Sequence, residues 1–367
     1  VSKDALLKLL RTESRWSRWG GADLMPVTDH QDKPGVVLIE MNSCPSGNKS
    51  MPYGGWGLEG YRRIMEFGFL PMLKDTNVRD GKLAVFYDSK INKIECRGYA
   101  TELARLTGES VILADYGHDD HRAPSYIRWT ADGWCEVQFG QPGAGGSGAS
   151  GDAGDNSEAR WERVRGAFRC VTKAPWSKIP VISKTVIMSP IVTCLGGGRN
   201  KLLAAKGYAE FNAEHSSDGL RIHTPLTITD VPLDSIPFYA AQLSNQCVIK
   251  IPYANRGTGV FTITSAGELA DFLAEPQGYD NFIVQSLIGH KHWPKPPGLP
   301  DVHVLSHIGM TLPDAPNEEF VADLRMMVVC GKKISNALKN RCKTGLGFLG
   351  GIYLFAAEDQ EAKNTLN

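Results

Sequence analysis

The chain has no excess charge of either sign, since 40 Lys and Arg balance 40 Asp and Glu over 367 residues. A balanced chain exerts no general pull on nucleic acid or on an anionic membrane. It also has no apolar run long enough to span a bilayer, and its start lacks the apolar core of a signal peptide. Eight cysteines are scattered without a Cys-x-x-Cys pair. Most, such as Cys194, Cys247 and Cys330, stand in strand-like apolar stretches, which predicts buried, reduced thiols. No internal repeat of useful length is present. The Gly196–Gly198 run lacks the G-x-G-x-x-G spacing of a dinucleotide fold. What remains is a cytoplasmic protein with no nucleic-acid or membrane partner, and its 42% hydrophobic content is enough for two or three lobes. The first residue is not Met, which fits a trimmed N-terminus.

The most informative segment that is present lies early, at Val36-Val37-Leu38-Ile39-Glu40-Met41-Asn42-Ser43. The apolar run predicts a buried strand, and Glu-x-Asn at its end puts a carboxylate and an amide oxygen on one face. Upstream, Asp23 opens the strand-like Leu24-Met25-Pro26-Val27, joined through a polar turn around Asp29, Asp32, Pro34 and Gly35. Asp23, Glu40 and Asn42 are thereby candidate ligands of Mg²⁺, a hard ion that takes oxygen donors. Strands ending in Glu or Asn are common, so the motif taken alone reads more readily as an ordinary strand end.

A second set appears about two hundred positions later. Cys247-Val248-Ile249-Lys250 reads as a strand and Ile251–Thr258 as a Gly-rich turn, followed by a second strand from Gly259 and Val260. A lysine ending a buried strand can reach phosphate oxygens, and Gly257 and Gly259 let backbone N–H groups approach them. Ser265 and Glu268 form a capping box for a helix with Leu269, Phe272 and Leu273 on one face. Asn281–Ile288 is another apolar strand, and Phe320–Cys330 a further one that turns at Gly331-Lys332.

In this order the elements resemble an ATP-grasp ligase, of the circularly permuted branch that includes eukaryotic glutathione synthetase. The resemblance implies an α/β (α+β) ATP-grasp fold. Residues 1–75 would be the permuted metal-binding part, 76–190 a substrate-side lobe, and 191–367 the Lys strand, flap, hinge and Arg strand. It implies ATP held by Lys201, Lys250, the flap Gly257-Thr258-Gly259 and the hinge Gln285-Ser286-Leu287-Ile288. It also implies Mg²⁺ on Asp23, Glu40 and Asn42, and Arg325 and Arg341 as catalytic residues near an acyl-phosphate. The implied activity joins a small-molecule acid to an amine with release of ADP and phosphate, in a protein for which a homodimer is open. Phosphoryl transfer to another acceptor, or nucleotide binding without turnover, uses the same ATP residues. Arg325 could instead pair with Asp323, and Arg341 could cap a strand. Ser43, Ser46, Asn48 and Ser50, just past the metal motif, either contact a substrate carboxylate or shape a loop.

The middle of the chain reads as a small βαβ unit: a strand at Leu83–Asp88, an amphipathic helix at Glu95–Leu106, and a strand at Ser110–Asp115. Residues 141–157, rich in Gly, Ser and Ala, cannot bury enough apolar area to offset their ordering entropy, and are expected to form a mobile insertion. Arg163–Val171 resumes as a strand. His118-Asp119-Asp120-His121 has metal-binding residue types, but the adjacent spacing in a polar turn favours a solvated loop. Trp16 and Trp19 are read as packing residues.

Overall fold

The computed structural model describes residues 17–47, 59–88, 93–116, 127–139, 160–170, 178–254, 259–289, 304–312, 315–329, 347–349 and 354–358, besides Asp4. Asn48, Ser50, Gly257, Thr258, Arg341, the His118–His121 turn and the 141–157 insertion lie outside them. Three sheets organise the described residues. Among those residues no helix is long and apolar enough to cross a membrane.

The first sheet has seven strands and is built on Trp19–Thr28. One edge of this strand pairs antiparallel with Pro34–Asn42, placing Asp23 opposite Glu40, with a bulge between Asp23 and Leu24. Its other edge pairs with the strand Ala315–Val329, placing Asp23 opposite Arg325. The turn between the first two strands is tied by the Asp29 carboxylate, which accepts from the backbone N–H of Gln31 at 2.8 Å and of Lys33 at 3.0 Å. This is the local geometry for which Asp is favoured in turns. The Arg325 strand begins at Ala315, earlier than its apolar run suggests, because Gly309–Leu312 pairs back along it.

The second sheet is antiparallel in the order Val260–Ile263, Cys247–Lys250, Asn281–Ser286, Thr227–Pro232. Its apolar face is covered by helix Ala266–Ala274, whose Phe272 meets Phe261 and Phe282 edge-on at 4.8 and 5.8 Å. Ser265 Oγ caps the helix by accepting from Glu268 N at 3.2 Å, while Glu268 accepts from Thr264 N at 2.7 Å. The reciprocal arm of the capping box thus lands one residue before the cap.

The third sheet is mixed. Lys82–Tyr87 lies between the parallel strands Val111–Asp115 and Arg160–Arg169, with helix Lys93–Thr107 as the first crossover. Val186–Met188 extends the parallel part, and Cys135–Phe139 adds an antiparallel hairpin with Ile127–Trp129. Helical segments Glu59–Arg63, Ile64–Phe69 and Leu70–Asp75 run on from one another, and Ile64, Met65 and Phe69 are fully buried. Each such side chain contributes roughly 1.5–3 kcal/mol of burial. The core they join also contains Trp19, Met327, Tyr99 and Phe168, so the first and third sheets share one apolar interior. Trp19 packs at 5.3 Å from Phe168 and 6.0 Å from Tyr99, a packing residue as its context suggests.

Candidate functional site

A cleft of about 810 Å³ opens between the first and second sheets. One wall is the Pro34–Asn42 strand. The opposite wall carries Lys250, Ile283, Gln285 and Thr227, and helix Lys201–Glu214 contributes Lys201, Ala205 and Tyr208. The volume lies within the usual range of small-ligand sites.

Lys250 ends its strand inside this cleft and is 8% exposed. Among the described residues no carboxylate or hydrogen-bond acceptor meets its ammonium. Burial pulls it down to about 8, against the field of Glu40 and helped by the like charge of Lys201. Lys201 is also lowered by burial, with Glu40 opposing. Its Nζ donates to the Ala254 carbonyl at 2.7 Å and stands 3.8 Å from Glu40. The backbone explains this placement: Lys201 N donates to Pro252 O at 2.8 Å, and Asn200 donates through Nδ2 to Tyr253 Oη at 2.9 Å. Asn200 is also the helix N-cap, accepting from Leu203 N at 3.1 Å. One residue therefore starts the helix and fastens it to the segment that follows Lys250.

Asp23 stands behind Glu40, 6% exposed. Arg325 grips it with both prongs, Nε to Oδ1 at 2.5 Å and Nη2 to Oδ2 at 2.6 Å, and gives Nη1 to the Ser46 carbonyl at 3.2 Å. Burial pushes the Asp23 carboxyl up against the pull of this guanidinium. The partner of Arg325 in this fork is Asp23, 302 residues away, and neither residue lines the cleft. Asn42 donates Nδ2 to Asp23 Oδ2 at 2.9 Å, which turns its Oδ1 away from Asp23. Glu40 and Asn42 do line the cleft, so an oxygen pair suited to a hard cation faces it. Among the described residues no three His, Cys, Asp or Glu side chains gather as a metal cage. The Asp23–Glu40–Asn42 set has two carboxylates, one of them held by arginine.

Gly259 has φ +70°, and a Cβ there would lie 2.2 Å from the Ile251 side chain, so this turn requires glycine. Gln285 lines the cleft; Ser286, Leu287 and Ile288 do not. Ile288 packs instead against the cluster of Met25, Val27, Val37 and Val321. Ser43 is pressed against the Cys194–Gly198 turn, its Oγ 3.5 Å from Cys194 Sγ, and a Cβ on Gly198 would lie 2.2 Å from Ser43 Cβ. Ser46 is exposed and touches Arg325 through its carbonyl. Cleft residues that sequence reasoning missed are Arg199, Tyr208, Arg221 and His223. Arg221 and His223 alternate on an extended segment whose His223 carbonyl accepts from Leu38 N at 2.8 Å, and whose Ile222 is bracketed by Asn212. Their i, i+2 spacing is the sole signal, and it is faint outside a strand.

No family model matches the chain, and no curated protein does. Two solved structures are similar over almost its whole length. A glutathione synthetase-like effector from Globodera pallida, solved in the apo form, gives a TM-score of 0.51 at 9% identity, covering 97% of this chain and 77% of that one. A putative gamma-glutamylcysteine synthetase from Methylobacillus flagellatus KT gives 0.50 at 11% identity, covering 98% and 80%. The fold is mixed α/β and is shared over almost the whole chain with these two structures.

Proposed function

We propose that this chain is an ATP-dependent carboxylate–amine ligase that makes an amide through an acyl-phosphate and releases ADP and phosphate. The observation that supports the reading is Lys250, a buried cation that meets no hydrogen-bond acceptor among the described residues and lines a cleft of the right size. An unpaired buried charge is costly, and a phosphate group would satisfy it. The surroundings agree, since among the described residues Lys33, Arg199, Lys201, Lys206, Arg221 and Lys250 line the cleft against only Asp29 and Glu40. Such a lining concentrates polyanions although the chain as a whole is neutral.

A carboxylate is a poor electrophile because its charge is delocalised, so amide formation needs a leaving group, which the γ-phosphoryl supplies. Lys250 and Lys201 bind the phosphates and offset the charge that moves during transfer. Glu40 and Asn42, backed by Asp23, would hold Mg²⁺, which supplies Lewis-acid charge neutralisation when bound. In this reading the Gly-rich turn that ends at Gly259 covers the phosphates and keeps water from the acyl-phosphate. Arg325 steadies the loop after Asn42 through Ser46, and the resemblance assigns Ser43, Ser46, Asn48 and Ser50 to the acid and Arg341 to the acyl-phosphate. The metal strands precede the Lys250 strand in the chain, which supports the permuted order.

Incubation with ATP and a panel of acids, with hydroxylamine in place of the amine, tests the reading. The expected outcome is a hydroxamate formed in step with ADP. A stable phosphate ester without hydroxamate identifies a kinase instead and overturns the ligase assignment.

A further inference from the structure

Among the described residues stand six cysteines, and four of them, Cys96, Cys135, Cys194 and Cys247, are buried. Cys44 and Cys170 are half-buried, and these two meet, thiol to thiol. The backbone sets up the contact. Cys170 follows the strand Arg160–Arg169 and is fixed through its N–H, which donates to the Phe86 carbonyl at 2.8 Å. Cys44 lies in the loop after Asn42. Its Sγ donates to the Arg169 carbonyl at 3.1 Å, and that carbonyl belongs to the peptide bond leading into Cys170. Cys170 also meets the thiol of Cys96 on helix Lys93–Thr107, but Cys96 is only 2% exposed. An oxidant arriving from solvent therefore reaches Cys44 and Cys170 first.

We propose that Cys44 and Cys170 form a reversible disulfide site, closed by hydrogen peroxide, that acts on the Asn42 end of the cleft. One thiol attacks a peroxide oxygen, the O–O bond breaks, and a sulfenic acid and one water result. The second thiol displaces the sulfenic hydroxyl as another water, and the S–S bond forms. Two sulfurs have then given up two protons and two electrons to one peroxide.

The link bears on the cleft through the loop that carries Cys44. Joining the sulfurs removes the proton that Cys44 gives to Arg169 and replaces a contact by a bond, which draws the loop toward Cys170. Ser43 is packed against Gly198, and both Asn42 and Gly198 line the cleft. Beyond Cys44 the loop is held: Arg325 donates to the Ser46 carbonyl at 3.2 Å, and Glu95 accepts from Gly47 N at 2.8 Å. A shift at Cys44 is passed back to Asn42. Its effect on nucleotide binding rests on the ligase reading; the disulfide itself does not.

The full chain is treated with hydrogen peroxide, its remaining thiols are alkylated, and its peptides are mapped by mass spectrometry. A Cys44–Cys170 linked pair that dithiothreitol opens is the expected product. ATP binding should weaken by about tenfold or more on oxidation and recover with dithiothreitol. In Cys170→Ser, checked for folding by circular dichroism, peroxide should leave ATP binding unchanged. Absence of the link, irreversible oxidation of separate cysteines, or a Cys96–Cys170 link in the native protein overturns the site. A mapped Cys44–Cys170 link with unaltered ATP binding overturns its action on the cleft. If neither form binds ATP, the ligase reading falls, while the peptide map still decides the disulfide.

Discussion

Lys250 carries the strongest consequences of any single residue. Because its ammonium is buried and meets no acceptor among the described residues, Lys250→Met should raise the melting temperature while lowering ATP-dependent turnover by about a hundredfold or more. Thermal melts and ADP release measured on the same preparation check both halves; a variant that melts lower would show that the lysine is satisfied in the empty protein. Its titration gives a second test. The folded value, about 8, lies below the ordinary 10.5, so between those values the unfolded chain binds more protons than the folded one. Stability of the ligand-free protein should therefore rise with pH across that window, by roughly 3 kcal/mol from this group. A polyphosphate restores the charged form, so binding at about pH 9 should take up a proton, seen as a calorimetric heat that changes with the buffer. Glu40 faces Lys201 at 3.8 Å and its field reaches Lys250, so Glu40→Gln should cut turnover by roughly a hundredfold with the fold intact. Lys250 and Glu40 were legible because each ends an apolar run. Tyr208 was not, since one aromatic on a helix does not announce which way it faces.

At the scale of elements, two helix caps make a controlled comparison. Ser265 caps helix Ala266–Ala274, which covers the second sheet, whereas Asn200 caps helix Lys201–Glu214, which lines the cleft. Each substitution to Ala should cost about 1 kcal/mol of stability. Only Asn200→Ala should also weaken nucleotide binding, because it removes the tie between the start of the Lys201 helix and Tyr253 that helps to position Lys201. Chemical denaturation paired with a binding titration separates the two, and equal effects on binding would remove Asn200 from any positioning role. The Ser265 cap was readable from Ser265 and Glu268 alone. The Asn200 cap was hidden behind Gly196–Gly198, whose glycines draw attention to themselves while serving close approach, as at Ser43 against Gly198.

Across the whole molecule, the Asp23–Arg325 pair ties the two ends of the described chain through neighbouring strands of one sheet. Arg325→Leu should destabilise by about 3–5 kcal/mol, since it strands a buried carboxylate. Asp23→Leu combined with Arg325→Leu should cost less than the two changes summed, as denaturant midpoints in a double-mutant cycle would show. Additive losses would mean that the two side chains do not depend on each other.

The sequence by itself determined the strands that carry Glu40, Lys250 and Gln285, the βαβ unit and the hairpin turn at Asp29, because these follow from local periodicity and turn chemistry; it did not show the strands Ile127–Trp129, Cys135–Phe139 and Thr227–Pro232. Tertiary structure alone decided that six Lys and Arg of a neutral chain converge on one cleft, that Arg325 grips Asp23, and that Gln285 donates to Thr227. These outcomes depend on strand neighbours and register, which bring residues up to 302 positions apart into contact. Local sequence carries no signal for such pairings until the sheets have formed.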